Sequence, residues 1–163
     1  NIEKAETNRH DLQLEKFDIV ALTQTVIGEF AASANDKNIR ILFESTQPSV
    51  SILSDAHLVK RVLDNLLSNA IKYSNPNGRV WVSAEQSGDR LWLKVKDEGI
   101  GIDSKHLPGL FEKYNTASRA TDSQLSTGLG LSIVKRILDE IGGSIHCQSE
   151  IGKGTEFTVQ LSA

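Results

Sequence analysis

Two periods of apolar residues organise the chain. After Asp18, a side chain suited to cap a helix, Ile19, Leu22, Val26, Phe30 and Ala34 recur at three- and four-residue spacing and predict one amphipathic helix ending near Asn35. Ile39 to Glu44 and Val50 to Leu53 are short and β-rich, with Pro48 in the turn between them, and predict two strands. Ser54 and Asp55 offer a second cap, and the pairs Leu58/Val59, Val62/Leu63, Leu66/Leu67 and Ala70/Ile71 repeat every four residues. That pattern predicts a core helix, ended by Asn75, Pro76, Asn77 and Gly78. Arg79 to Gln86 and Arg90 to Lys96 alternate, Val80, Val82 and Ala84 facing one way and Leu91, Leu93 and Val95 likewise, so the Ser87, Gly88, Asp89 link makes a hairpin. Leu129, Leu131, Val134, Ile137, Leu138 and Ile141 predict a further helix, stopped by Gly142 and Gly143. A last hairpin, Ser144 to Ser149 with Thr155 to Leu161, turns at Ile151 to Gly154.

The gaps in the pattern matter too. Residues 1–16 are polar and charged, with Ile2, Leu12 and Leu14 as their only large apolar side chains, and read as a tail or as the end of a helix and linker belonging to a preceding unit. The domain proper is expected over residues 17–163. Between Asp97 and Thr127 the periodicity fades while Gly, Ser, Thr and Asp accumulate, and an irregular stretch of about 30 residues inside a compact domain is usually functional. Leu107 to Thr127 is therefore expected to be a mobile lid. Strands, helices and hairpins in this order predict an α/β fold, one mixed sheet with helices packed on one face.

Composition narrows the classes of function. The 163 residues suit one domain with a substantial core. With 18 Lys+Arg against 21 Asp+Glu, a net charge of −3, the chain has no basic excess for coating a nucleic acid or an anionic bilayer. Its single Cys excludes an internal disulfide and a multi-cysteine zinc site. No apolar run approaches the length of a membrane span and no leader opens the chain, so a soluble domain is expected. The chain opens on Asn1 rather than Met, which predicts a piece of something longer.

Three groups of residues could carry chemistry. Gly99/Gly101, Gly128/Gly130 and Gly152/Gly154 form three Gly-x-Gly pairs at strand ends or a helix start. Each alone could be a turn, but Gly128 and Gly130 open a helix, where free N–H groups and the positive dipole end suit a phosphate. Neither a P-loop nor a Rossmann fingerprint is present. Asn65, Asn69 and Lys72, four and three residues apart, share an arc of about 60° beside the apolar stripe of their helix. Amides disfavour helix interiors, so the pair is either a tolerated solvated flank or a site where an amide oxygen meets a hard cation such as Mg²⁺, with a lysine nearby. Asp97 ends a strand ahead of Glu98 and Gly99; it serves ordinary turn chemistry or accepts a hydrogen bond from the exocyclic amine of a base.

Together these segments resemble the sensor histidine kinases. DNLLSNAIKYS at Asp64 to Ser74 is similar to their N box, DEGIGI at Asp97 to Ile102 to their first glycine box, and LFEKY at Leu110 to Tyr114 to their F box. STGLGLSIVKRIL at Ser126 to Leu138 resembles the second glycine box and GKGTEFTV at Gly152 to Val159 the third. All five stand in the family's order and spacing and cover roughly Asp18 to Leu161. The resemblance implies the Bergerat fold shared with gyrase, Hsp90 and MutL: a two-layer sandwich of a mixed, mostly antiparallel sheet and three main helices, with ATP under a mobile lid. On the matching positions it implies that Asn69 ligates Mg²⁺, that Asn65 lines the phosphate site, and that Lys72 meets phosphate oxygens. Tyr73 would pack near the adenine or ribose, Asp97 would take the adenine amino group, and Gly99, Gly101, Ile102 and Thr155 would shape that end. The second glycine box, Thr127, Gly128, Leu129, Gly130 and Leu131, would cradle the phosphates, and Lys113 or Arg119 in the lid would add charge.

One position separates the branches of that superfamily. Its hydrolytic members place a Glu one helical turn before the metal-binding Asn, and this chain has Asn65 there, which cannot act as a general base. Adjacent Asp64 sits about 100° away around the helix and is not expected to substitute. Phosphotransfer from Mg-ATP to a protein His is therefore expected, with ADP as product, rather than hydrolysis of the gyrase or Hsp90 kind. A third reading is a nucleotide-binding docking or regulatory module. None of His10, His57, His106 and His146 has the context of a phosphoacceptor, so that residue is expected on an upstream dimerisation domain. The resemblance further implies a cytoplasmic domain, a response regulator receiver domain as partner, no nucleic acid or direct membrane contact, and a monomeric fragment of a homodimeric parent. Glu98 departs from the usual Asn or Thr and adds a negative charge near the nucleotide.

Overall fold

A computed structural model describes residues 11–112 and 130–163. The elements run β1 (Leu14–Asp18), α1 (Ile19–Glu29), α2 (Ala31–Asp36), β2 (Arg40–Ser45), β3 (Ser51–Asp55), α3 (Ala56–Tyr73), β4 (Arg79–Ser87), β5 (Arg90–Asp97), a 3₁₀ turn (Ser104–Gly109), α4 (Gly130–Ile141), β6 (Ser144–Glu150) and β7 (Gly154–Ser162). Five strands form one sheet in the order β2-β4-β5-β7-β6, and β1 pairs with β3 in a separate two-stranded sheet. β2 runs parallel to β4 and the remaining neighbours are antiparallel, so the sheet is mixed and mostly antiparallel, as expected.

Alternation decides which face of the sheet is covered. Val80, Val82, Ala84, Leu91, Leu93, Val95, Phe157, Val159 and Leu161 are buried, while Lys94 and Lys96 between them are exposed. Against the buried face lie the apolar stripe of α3 (Val59, Val62, Leu63, Leu66, Leu67, Ala70, Ile71), Val20 and Val26 of α1, and Val134, Ile137 and Leu138 of α4. Two aspartates start the helices and also tie in the small sheet. Asp18 Oδ1 accepts hydrogen bonds from the N–H groups of Val20 and Val50, both at 3.0 Å. Asp55 Oδ1 accepts from Leu58 N at 3.1 Å and its Oδ2 from Gln13 N at 3.0 Å. Because Asp55 is a buried cap with two backbone donors, Asp55→Ala is expected to cost about 2 kcal/mol, at the upper end for an N-cap. Urea denaturation reads this, and an unchanged midpoint would refute it.

Three sequence expectations change. Residues 14–16, expected to close a helix or linker, are strand: β1 pairs antiparallel with β3, Leu14 opposite Asp55 and Asp18 opposite Ser51. The single helix expected to Asn35 breaks at Phe30, whose backbone (φ −99, ψ 4) is not helical. The break follows Gly28, a poor helix former, and lets both Phe30 and Ala34 pack on the core. Of the expected lid, Leu107 to Phe111 belong instead to the packed body. Leu107 packs on the core, Leu110 is buried, and Phe111 meets Phe157 edge to face at 6.3 Å. Apolar burial holds that stretch down.

Candidate functional site

Helix α3 carries one side of the site. Asn65, Asn69 and Lys72 are half-buried along its flank and Tyr73 is buried in its last turn. The Asn65 amide donates from Nδ2 to Arg61 O at 2.9 Å, which leaves Oδ1 facing the start of α4. A β-carbon placed on Gly130 would lie 3.3 Å from that Oδ1. The Asn65 amide and the first residue of the last helix are therefore neighbours, and a side chain at Gly130 would crowd that oxygen. Leu131, next along, is half-buried on the core. Lys72 Nζ lies 6.0 Å from the centre of the Tyr73 ring.

Asp64 is held in an ion pair. Its carboxylate accepts from Lys60 Nζ at 3.0 Å, and the same ammonium pairs with Glu29 at 2.9 Å. The two carboxylates hold the Lys60 pKa above its ordinary value.

The other side is built where β5 ends. Asp97 is buried and its Oδ1 accepts from Gly99 N at 2.9 Å, which turns the chain sharply. In register it lies between Val80 of β4 and Thr155 of β7. The following residues fold over the end of α3: Gly99 bridges Ser74, and Ile100 N donates to Tyr73 O at 3.3 Å. A β-carbon at Gly99 would stand 2.0 Å from that carbonyl oxygen, so only glycine admits the approach. Gly101, at φ +74, passes the β6–β7 turn so closely that a β-carbon would lie 2.1 Å from Glu150 O. Thus Asp97, Gly99, Gly101, Ile102 and Thr155 come together, with Tyr73 and Lys72 between them and Asn65 and Asn69.

Two residues outside the sequence reading complete this end. Ser149 Oγ accepts from Ile102 N at 2.8 Å, donates to Gly154 O at 2.9 Å and lies 2.8 Å from Thr155 Oγ1. Its signal was present: a polar residue in phase with Ile145 and Cys147 on the inward side of a strand. Arg79 forks the Glu98 carboxylate, Nε to Oε1 and Nη2 to Oε2 both at 3.2 Å, and its backbone N–H adds a bond of 3.1 Å. The Arg79 guanidinium also lies 5.0 Å from the Trp81 ring centre, with Lys96 at 5.5 Å. The negative charge expected to burden the nucleotide is therefore paired.

That pair has a pH signature. Hydrogen bonding to Arg79 holds the Glu98 carboxyl below the usual carboxylate range. Since the folded group is the stronger acid, its ionised form favours folding, fully above the ordinary range, and the contribution is lost as pH falls through the lower folded pKa. Glu98→Gln is expected to lose a few tenths of a kcal/mol at neutral pH, small because the pair is exposed, and to converge with the wild type in acid, once Glu98 is protonated in the folded state. Urea midpoints at neutral and acid pH test this; a gap that persists in acid would contradict it.

Lys113, Arg119, Thr127, Gly128 and Leu129 lie outside the described residues, as does the lid from Lys113 onward. Among the described residues no cluster of three or more His, Cys, Asp or Glu could hold a metal. A cation at Asn69 would take its other ligands from water and phosphate, a donor set that suits Mg²⁺. Nor, among these residues, is any helix long and apolar enough to cross a membrane.

Comparison with known proteins places this geometry. Residues 54–163 match the family described as histidine kinase-, DNA gyrase B-, and HSP90-like ATPase. The chain is 37% identical over 153 residues to the sensor histidine kinase YkoH of Bacillus subtilis (strain 168), covering 93% of this chain and 33% of that protein. It spans about a quarter to a third of the length of the curated relatives it matches. The nucleotide-free catalytic domain of the histidine kinase ThkA superimposes with a TM-score of 0.82 at 27% identity, over 92% of this chain and 95% of that one. Full-length ShkA in complex with AMPPNP superimposes with a TM-score of 0.82 at 29% identity, over 94% of this chain and 32% of that one.

Proposed function

The chain belongs to the histidine kinase-, DNA gyrase B-, and HSP90-like ATPase family, and from that premise we propose that it is the ATP-binding catalytic domain of a sensor histidine kinase. In this reading it binds Mg-ATP and presents the γ-phosphoryl group to a His on a dimerisation domain, from which a response regulator receives it. The observation that carries the reading is that both groups of residues border one helix, α3. Towards its middle Asn65 Oδ1 faces the start of α4; at its end Gly99 and Ile100 lie over Tyr73 O, just after buried Asp97, which sits beside Thr155.

ATP, when bound, supplies the phosphoryl group to be transferred; the residues position and neutralise it. Asp97 accepts from Gly99 N–H and, in this reading, from an adenine amino group. Ile102, buried in the core, backs the loop at this end, Tyr73 lies beside it, and Gly99 and Gly101 bring backbone close. Asn69 offers an amide oxygen to Mg²⁺, Lys72 offers positive charge, and the start of α4 at Gly130 and Leu131 brings N–H groups to the phosphates. Asn65 orders this end without removing a proton from water. With Asp64 committed to Lys60, the described part of α3 offers no carboxylate for hydrolysis.

The test is a calorimetric titration of the chain with ATP, with and without Mg²⁺, alongside a phosphate-release assay in the same samples. Micromolar to sub-millimolar binding with negligible release is expected, followed by labelling of a His once a dimerisation domain is supplied. Steady release would make the chain a hydrolase. No binding at millimolar ATP would make it a docking module.

A further inference from the structure

The last turn of α3 is held from outside the helix. A helix leaves its final carbonyls without partners, and here the last of them, Tyr73 O, lies beneath Gly99 and Ile100, the strap that follows Asp97. Ala70 O accepts from Ser74 N and Tyr73 O from Ile100 N. The others converge on one side chain. Lys37, the residue that ends α2, reaches across and donates from Nζ to Ile71 O at 2.9 Å, Lys72 O at 2.9 Å and Ser74 O at 2.7 Å. All three ammonium donors are used. The Lys37 backbone joins in, its carbonyl accepting from Asn77 N at 2.9 Å, and Asn38 Nδ2 donates to Asn77 Oδ1 at 2.7 Å. One residue therefore fixes both the helix end and the turn that leaves it.

Resting on the reading of these residues as an ATP site, we propose that Lys37 is a positioning residue for the nucleotide. Its hydrogen bonds go to backbone carbonyls of the last turn, Lys72 O among them, and not to the side chains of the site. It acts through the turn that launches the Lys72 and Tyr73 side chains and through Tyr73 O, to which Ile100 is tied. Without the ammonium, three half-buried carbonyls lose their donor and the negative end of the helix dipole loses its cation. The last turn then frays, Lys72 and Tyr73 lose their fixed directions, and the strap bearing Asp97 and Gly99 loosens. Asn69 lies a turn earlier, so its metal function is unaffected.

The test compares Lys37→Met, of similar length without charge, with Lys37→Arg and with Val159→Ala, a core truncation in β7. Wild-type ADP and ATP binding is measured first; its absence would refute the ATP reading itself. Given binding, Lys37→Met is expected to weaken ADP and Mg-ATP alike by about tenfold, the scale of charge-assisted hydrogen bonds lost from a fixed turn. The ratio of Mg-dependent to metal-free affinity stays unchanged, and phosphotransfer shows a raised KM with kcat within about twofold. Lys37→Arg falls between, since a planar fork keeps the charge but cannot meet three carbonyls at one point. Val159→Ala loses stability without changing affinity. Independently of nucleotide, the Ile100 amide exchanges faster in Lys37→Met while β6 and β7 amides do not. Affinity and Ile100 exchange equal to wild type would overturn the proposal. So would a reduced affinity matched by Val159→Ala. If Lys37→Met does not fold, Lys37→Arg decides: about threefold weaker binding with faster Ile100 exchange is expected, and wild-type behaviour in both overturns it.

Discussion

Alanine at position 101 is expected to cost about 3 kcal/mol of folding stability and to abolish nucleotide binding under conditions where the protein remains folded. Two effects add. The backbone there has φ +74, a left-handed conformation that costs a side chain about 1 kcal/mol, and the new methyl would stand 2.1 Å from Glu150 O and 2.7 Å from its carbon. Neither neighbour is the flexible end of a side chain, so the strap must lift off the β6–β7 turn, at the 1–3 kcal/mol typical of overpacking. Lifting it pulls on Gly152 N, which donates to Ile100 O at 2.9 Å, and on Ile102 N, which donates to Ser149 Oγ at 2.8 Å, and so displaces the loop after Asp97. Gly88 supplies the control. Its φ is +61, but nothing lies within 4 Å of where a β-carbon would go, so Gly88→Ala should show the strain alone, about 1 kcal/mol, with unaltered binding. Urea denaturation and an ADP titration of both variants separate the terms. Equal losses would mean that close approach at 101 does not constrain the site.

Asn69→Ala and Asp97→Asn are expected to dissect the two ends of the proposed site. Removing the Asn69 amide should weaken Mg-ATP binding by about 100-fold, the scale of a lost ligand to a charged group, and metal-free binding by no more than about threefold. Asp97→Asn should weaken both by about tenfold or more, because a base amine that donated to a carboxylate now meets an amide. Asn is chosen at 97 because it keeps an oxygen for Gly99 N, the 2.9 Å bond that shapes the turn, so folding stability is expected to change little. Titrations with ADP and ATP, each with Mg²⁺ or a chelator, read out all four combinations. If Asn69→Ala weakened both conditions equally, its amide would serve the phosphates or the fold rather than the metal. If Asp97→Asn bound like the wild type, the base would be recognised elsewhere.

What the sequence determined by itself was local. Strands and helices follow from periods of two and of about 3.6 residues, and the caps Asp18 and Asp55 stand where their side chains close the first turn. The arc of Asn65, Asn69 and Lys72 is a property of any helix with that spacing, and the glycines mark turns whatever surrounds them. The break at Phe30 and the packing of Leu110 escaped this reading because both depend on which apolar neighbours are within reach.

Tertiary structure alone decided the partners. β2 and β3, adjacent in sequence, do not pair with each other: β2 joins β4 in parallel and β3 takes β1. It is this arrangement that brings Lys37 to the end of α3, 34 to 37 residues away, and Ser149 to Ile102, 47 residues away. Nor does composition foretell that Glu98 meets Arg79, or that Gly101 is required by a carbonyl of another strand. A side-chain pattern fixes which face of an element is buried, whereas the hydrogen bonds that aim a site are made between elements. Their geometry exists only once the sheet order and the helix crossings have placed distant backbone atoms about 3 Å apart.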